Sequence, residues 1–271
     1  MKPYNLVVIG GGSGGLVVAL GAAGRGMRVA LVEKDKLGGD CLWTGCVPSK
    51  TLLHSARLVQ SIRDGEKAGL EKMEPAFSPA AVLDHVRSVR EKIAEHDDPE
   101  RFREEGVEVI FGSPRFLDPS RIEVDDRVIE SEKFVIATGS RPRVFPIPGL
   151  EEAGYLTNED AFELKDLPSS LIQIGGGPIS VELGQAFRRL GAEITILDKA
   201  PRIMPREDKE LVAILQKQLE TEGIRIAAGV DITAIRKEGD QKVVVFEKDG
   251  KKEEVRADEI LAAMGRTPNI D

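Results

Sequence analysis

Apolar residues fall along the chain in two patterns, short unbroken runs and longer stretches with helical periodicity, and the two alternate. The run Leu6–Ile9, a glycine turn, and an apolar-faced stretch ending near Gly26 predict a buried strand, a tight turn and a helix. Val29–Glu33 predicts a second strand that ends in an acid. Residues 50–64 and 79–105 read as helical, the second with Val82, Val86, Val89 and Ile93 at helical spacing. Residues 107–111, 121–124 and 134–137 read as strands between Pro and Gly turns. A helix near 207–222 then precedes strands near 224–227, 241–247 and 258–263, with the turn at 237–240 flanked by the first two of these. Residues 141–149 hold three prolines and a glycine, which predicts a linker and a domain boundary.

The opening pattern occurs twice. Leu6-Val-Val-Ile-Gly-Gly-Gly12 aligns with Leu171-Ile-Gln-Ile-Gly-Gly-Gly177 at an offset of 165, and the same offset carries Gly26 to Gly191, Val29 to Ile194, Glu33 to Asp198 and Lys34 to Lys199. Each copy reads strand, glycine turn, helix, strand, acid, which is the start of a Rossmann unit. Gly10 and Gly175 allow the tight turn, and Gly12 and Gly177 allow backbone to approach a pyrophosphate at a helix N-terminus. The acid, 23 residues after the first glycine in both copies, is placed to accept hydrogen bonds from ribose hydroxyls. The third glycine position differs, Gly15 against Ser180, and serine is small enough for nearly the same helix-to-strand approach. The fold class expected is α/β, with two Rossmann-like three-layer dinucleotide-binding domains.

Length and composition narrow the function classes. At 271 residues, about two domains are expected. With 41% hydrophobic and 31% charged residues, the chain reads as a water-soluble globular protein. A net charge of -8 and no basic run with interleaved aromatics argue against nucleic acid and anionic membranes as partners. Met1-Lys2-Pro3-Tyr4 leads directly toward the glycine loop, which leaves no room for a signal peptide's apolar core, so a cytoplasmic location is expected.

In such a chain a purely structural disulfide is uncommon, yet its two cysteines, Cys41 and Cys46, lie five residues apart. Pro48 suits the first turn of a following helix, which puts Cys46 at a helix entrance where the dipole favours a thiolate, with Lys50 one turn on. Gly45 relaxes the backbone between the sulfurs. Three readings stand at this point: a metal site, short of ligands with His54 the only histidine nearby; two buried thiols; and a redox pair.

Residues 38–50, the doubled fingerprint, Ala137-Thr-Gly139 and Ala263-Met-Gly-Arg-Thr-Pro-Asn269 together resemble the class I pyridine nucleotide-disulfide oxidoreductases, over essentially the whole chain. That family includes dihydrolipoamide dehydrogenase, glutathione reductase and mercuric reductase. The resemblance implies FAD held by Gly10, Gly12, Gly15 and Glu33, with Thr138 and Gly139 near the flavin. It implies further cofactor contacts at Lys34, Gly39, Lys50, Pro114, Ser140, Gly175, Gly177, Ser180, Glu182, Asp198 and Gly265, and no resident metal. Cys46 would make a charge-transfer contact with oxidised flavin, Cys41 would attack substrate, and Lys50 would pair with Glu182. The helix stripe Ile179, Leu183, Ala186 and Leu190 agrees with such a pairing, since it turns Glu182 partly inward, where a buried cation would satisfy it; an edge glutamate in water is the other reading.

The implied reaction runs from a nicotinamide through flavin to the Cys41–Cys46 disulfide and on to a thiol, disulfide or metal-ion substrate. Asp198 argues for NAD, whereas Lys199, Arg202 and Ser180 leave NADP open. The expected domains are residues 1–143 (first part of the FAD domain, with the disulfide), 150–264 (NAD(P) domain) and 265–271 (return to the FAD domain). Family members continue into a dimerisation domain that makes a homodimer and donates a His-Glu pair. None of His54, His85 and His96 has that context, and all three read as ordinary helix residues. A truncated, catalytically silent dinucleotide-binding or redox-sensing module is the alternative reading. Trp43, between the cysteines, reads either as a bulky group at the site or as packing beneath the loop.

Overall fold

A computed structural model describes residues 3–270. In chain order its elements are β1 (Leu6–Ile9), α1 (Ser13–Ala23), β2 (Val29–Glu33), α2 (Gly39–Trp43), α3 (Cys46–Arg63), α4 (Pro79–Ala94) and α5 (Pro99–Glu104). Then come β3 (Val107–Phe111), β4 (Pro114–Asp118), β5 (Arg121–Val124), β6 (Arg127–Glu130), β7 (Phe134–Ile136), β8 (Ser140–Pro142), α6 (Leu150–Ala153) and α7 (Asn158–Ala161). The rest are β9 (Ser170–Ile174), α8 (Pro178–Arg189), β10 (Glu193–Asp198), α9 (Lys209–Thr221), β11 (Arg225–Ala228), β12 (Asp231–Glu238), β13 (Gln241–Lys248), β14 (Lys251–Ala257), β15 (Glu259–Ala262) and β16 (Arg266–Pro268). The chain divides into two compact units, one of residues 1–47, 88–141 and 268–271, the other of 48–87 and 142–267.

The first unit is built on a parallel sheet in the order β3-β2-β1-β7. Its central strands are apolar throughout because both faces are covered. Leu6, Val8, Val29 and Leu31 face a core shared with Leu16 and Ala19 of α1 and with Phe102 of α5. Val7, Ile9, Ala30 and Val32 face Ile122, Val124 and Ile129 of the antiparallel sheet β4-β5-β6. The layers are thus helix, parallel sheet and antiparallel sheet.

The second unit repeats this plan. Its parallel sheet runs β11-β10-β9-β15, the same order as in the first unit. Leu171, Ile194 and Ile196 face a helical core that includes Leu183 and Phe187 of α8, Leu52 and Ala56 of α3, and Leu83 and Val86 of α4. Ile172, Ile174 and Leu197 face Ile235, Val244 and Phe246 of the antiparallel sheet β12-β13-β14. Both units are Rossmann-like α/β folds of three layers, as the doubled fingerprint implies.

Several element boundaries depart from expectation. The 79–105 stretch is two helices, because Asp98 leaves the helical region at ψ 128 ahead of Pro99 and accepts the Glu100 N–H, capping α5. The strands flanking the turn at 237–240 are β12 and β13, not one near 224–227. β14 escapes the pattern because its alternating positions are charged and solvent-facing, and β12 because a bulge breaks its alternation and its last three residues are charged, so neither shows an apolar run.

Candidate functional site

In the first unit the cysteine turn lies directly on the first fingerprint. The Gly38 N–H donates to the Gly11 carbonyl at 2.8 Å, and Gly12 and Gly38 form a parallel bridge. Gly39, at φ +56, sits so near that a Cβ would fall 2.6 Å from the Gly12 Cα. Cys41 follows, half-buried in α2, and Cys46 opens α3, exposed; both are free thiols. Gly45 has a reason beyond backbone freedom, since its Cβ would stand 2.7 Å from the Asp40 carbonyl oxygen and 3.6 Å from the Cys41 Cα. Only glycine lets the Cys46 end of the turn lie against the Cys41 end.

The two fingerprints share details finer than sequence order. Gly10 and Gly175 have φ of +105° and +103°, and a Cβ on either would meet a carbonyl oxygen, Ala137 at 2.3 Å or Ala263 at 2.4 Å. Those carbonyls end the neighbouring parallel strands β7 and β15, at the point where each sheet order reverses. The acids also match. Glu33 Oε2 accepts the Gly11 N–H at 2.6 Å, and Asp198 Oδ2 accepts the Gly176 N–H at 2.5 Å. Glu33 Oε1 further accepts the N–H groups of Lys34 and Asp35, and Asp198 Oδ1 accepts that of Ala200.

Gly12 and Gly177 are different in kind. They cap α1 and α8 with φ of -84° and -79°, values open to any residue. A Cβ on Gly177 would meet nothing within 4 Å, and on Gly12 nothing closer than the Gly39 Cα at 3.7 Å. The chain's own packing does not require glycine at either place. What their bare backbone provides is free space at a helix N-terminus, where N–H groups without intrahelical partners attract phosphate. Where the first copy has Gly15, the second has Ser180, fully buried, whose hydroxyl donates to the Gly175 carbonyl.

In the second unit Lys50 Nζ lies 2.8 Å from Glu182 Oε2 and 3.0 Å from Oε1. The pair is not buried as expected: the side chains are 60% and 39% exposed. α8 turns Leu183 and Ala186 inward and leaves Glu182 at the edge of that stripe, within reach of α3. Nearby in sequence, two of the basic residues after β10 have partners of their own. Arg202 donates to the carbonyls of Met204, Pro205 and Glu207 at 2.7–2.9 Å, and Lys199 pairs with Asp231 at 3.2 Å.

Thr138 and Gly139 are joined to a residue that the candidate set omitted. The Thr138 hydroxyl donates to the Asn269 carbonyl, Asn269 Nδ2 donates to the Thr138 carbonyl at 2.9 Å, and the Asn269 N–H donates to Gly139 at 3.0 Å. The signal was present in the Gly265–Asn269 motif but names no partner. Gly11 was also omitted, because the fingerprint pattern treats it as a variable position. Pro114 and Ser140 begin β4 and β8, and Gly265 accepts the Arg143 N–H at 2.9 Å. His54, His85 and His96 are all exposed. Among the described residues no cluster of three metal-ligating side chains exists and no helix is long and apolar enough to cross a membrane.

Comparison with known proteins agrees with this geometry. The chain is 33% identical over 268 residues to a mercuric reductase of Staphylococcus aureus, covering 99% of this chain and 49% of that protein. It is 34% identical over 286 residues to a dihydrolipoyl dehydrogenase of Bacillus subtilis (strain 168), covering 99% of this chain and 60% of that protein. It therefore spans about half to three-fifths of these relatives' length. A solved structure, the Cu(II) complex of the HOCl-induced flavoprotein disulfide reductase RclA from Escherichia coli, superposes with a TM-score of 0.85 at 28% identity, covering 100% of this chain and 58% of that one. The pyridine nucleotide-disulphide oxidoreductase family model matches residues 4–271, and with the paired fingerprints and the cysteine turn already described, the chain belongs to that family.

Proposed function

We propose that this chain is the dinucleotide-holding part of an FAD-dependent NADH:disulfide oxidoreductase, with FAD at the first fingerprint and NAD at the second. The observation that carries this reading is the pair Gly12 and Gly177, glycines that their own surroundings do not require and that leave room at two helix N-termini for a pyrophosphate. The residues fit both groups: Glu33 and Asp198 retain acceptor capacity beyond the N–H groups they hold, enough for a ribose hydroxyl. FAD, when bound, supplies the two-electron step between nicotinamide and disulfide. The turn packed on the first fingerprint supplies Cys41 and Cys46 as that disulfide, and the Lys50–Glu182 pair serves the same step.

NAD is favoured over NADP. A 2′-phosphate would face the Asp198 carboxylate, and the Arg202 guanidinium is occupied by three carbonyls. The acceptor class is one that reacts with a thiolate, a disulfide or a soft metal ion, in keeping with relatives named as dihydrolipoyl dehydrogenase and mercuric reductase.

The test is an absorbance spectrum of the purified chain after incubation with FAD and gel filtration, repeated after anaerobic NADH. Retained flavin bands, followed by a long-wavelength band that Cys46→Ser lacks, support the reading. A colourless chain that keeps no FAD overturns it.

A further inference from the structure

We propose that Trp43 is the positioning residue that sets the stability of the Cys41–Cys46 disulfide, an inference that rests on the two thiols being a redox pair. Trp43 is the last residue of α2, the single turn that carries Cys41. Its indole Nε1 donates to the Leu37 carbonyl at 2.7 Å, closing the 37–43 segment on itself, and its own carbonyl accepts from Arg90 Nη1 at 3.3 Å. The ring has Lys36 Nζ 3.7 Å from its centroid and the Arg90 guanidinium 5.5 Å from it. Leu37 and Arg90, which hold the indole and its carbonyl, are themselves buried, 4% and 7% exposed.

The near end of the turn is anchored by Gly38 and Gly39 on the first fingerprint, and the far end by Trp43. Cys41 lies between the two anchors. Cys46 then follows through Gly45, whose backbone lies against Asp40 and Cys41. A disulfide forms only when the two α carbons hold a narrow separation. A turn held at both ends keeps Cys41 where Cys46 can meet it, which raises the effective concentration of one thiol at the other. Without the indole N–H, the Leu37 carbonyl loses its donor and the far anchor loosens.

The experiment measures the equilibrium of the full chain with oxidised glutathione: two thiols and one glutathione disulfide give the protein disulfide and two reduced glutathiones, read by thiol trapping and mass. Trp43→Phe keeps an aromatic ring near the two cations and removes the N–H donor with part of the ring; Trp43→Leu removes the donor and all aromatic character. The expected result is an equilibrium constant about tenfold lower in Trp43→Phe, equal to a potential about 30 mV less negative for a two-electron couple, with a larger fall in Trp43→Leu. The unfolding midpoint of the reduced proteins is measured alongside. Variants that melt lower but keep the wild-type equilibrium constant overturn the proposal and leave Trp43 as packing. If wild-type chain gives no Cys41–Cys46 disulfide under these conditions, the redox reading fails and this inference fails with it; a wild-type disulfide with unchanged variants sinks this inference alone.

Discussion

The Gly176 N–H donates to the Asp198 carboxylate at 2.5 Å, so the acid that ends the second strand also ties down the loop that begins the fingerprint. The first copy does the same with Gly11 and Glu33 at 2.6 Å. Asp198 therefore already holds its own loop, and on the proposed reading it would also face a ribose. Asp198→Asn keeps an acceptor for Gly176 and loses the charge. Its melting midpoint should stay near wild type, while its preference for NADH over NADPH narrows by about tenfold, or about 1.4 kcal/mol, as read by fluorescence titration with both nucleotides.

Two glycines should respond to alanine in opposite ways. Gly39→Ala forces a side chain into a left-handed conformation against the Gly12 Cα and should destabilise the chain by about 1–3 kcal/mol, seen as a lower urea midpoint. Gly177→Ala meets nothing and has an ordinary φ, so it should unfold at or slightly above the wild-type midpoint. Its NADH affinity should nevertheless fall tenfold or more, by about 1.4 kcal/mol at least. Equal NADH binding by Gly177→Ala and wild type would remove the main support for a ligand there.

Lys50 and Glu182 are paired but largely in water. Exposed pairs of this kind contribute about 0–1 kcal/mol. Glu182→Gln should leave the thermal midpoint nearly unchanged and yet slow flavin reduction by NADH at least tenfold, about 1.4 kcal/mol of barrier, in stopped-flow measurements on FAD-loaded protein. A variant that melts early and reduces flavin normally would assign the pair to structure.

Glu222 carries a pH dependence that its burial shields from solvent screening. Its side chain is 6% exposed, and burial pushes its carboxyl up, but Arg189, Gln218 and Gln185 donate to it and together hold it below the usual carboxylate range. A carboxyl depressed in the folded state contributes stability that is full above its unfolded pKa, about 4.3, and is lost as pH falls through the lower folded value. Glu222→Gln should cost about 1.5–3 kcal/mol at pH 7, as for a hydrogen bond to a charged group. The difference from wild type should shrink as the denaturation series is carried below pH 4.

Much of this architecture was legible in the chain because strands buried on both faces have unbroken apolar runs, as in Leu6–Ile9 and Ser170–Ile174. The glycines of the turns are equally visible, since backbone geometry leaves no other residue at Gly10 and Gly175. β14 was hidden because a strand with one wet, charged face resembles a loop in composition, and β12 because a bulge breaks its alternation. Pairings that depend on distant chain were hidden too. Asn269 with Thr138, and Trp43 with Arg90, follow from where the fold returns the chain rather than from local spacing. Lys50 as the partner of Glu182 was named by resemblance, with the α8 stripe in support; the exposure of the pair matches the other reading, an edge glutamate in water, because Glu182 stands beside the buried stripe and not within it.

The second unit draws its helical core from both sides of the linker at 141–149, taking Leu52, Ala56, Val59, Leu83 and Val86 from the early segment. During synthesis these side chains emerge roughly a hundred residues ahead of Leu183 and Phe187, and at about 5–20 residues per second they wait on the order of 5–20 s for their partners. The α3 and α4 pair thus stays without its core partners through that interval. For the same reason, a cut in the linker would separate two halves of one core instead of releasing two finished domains.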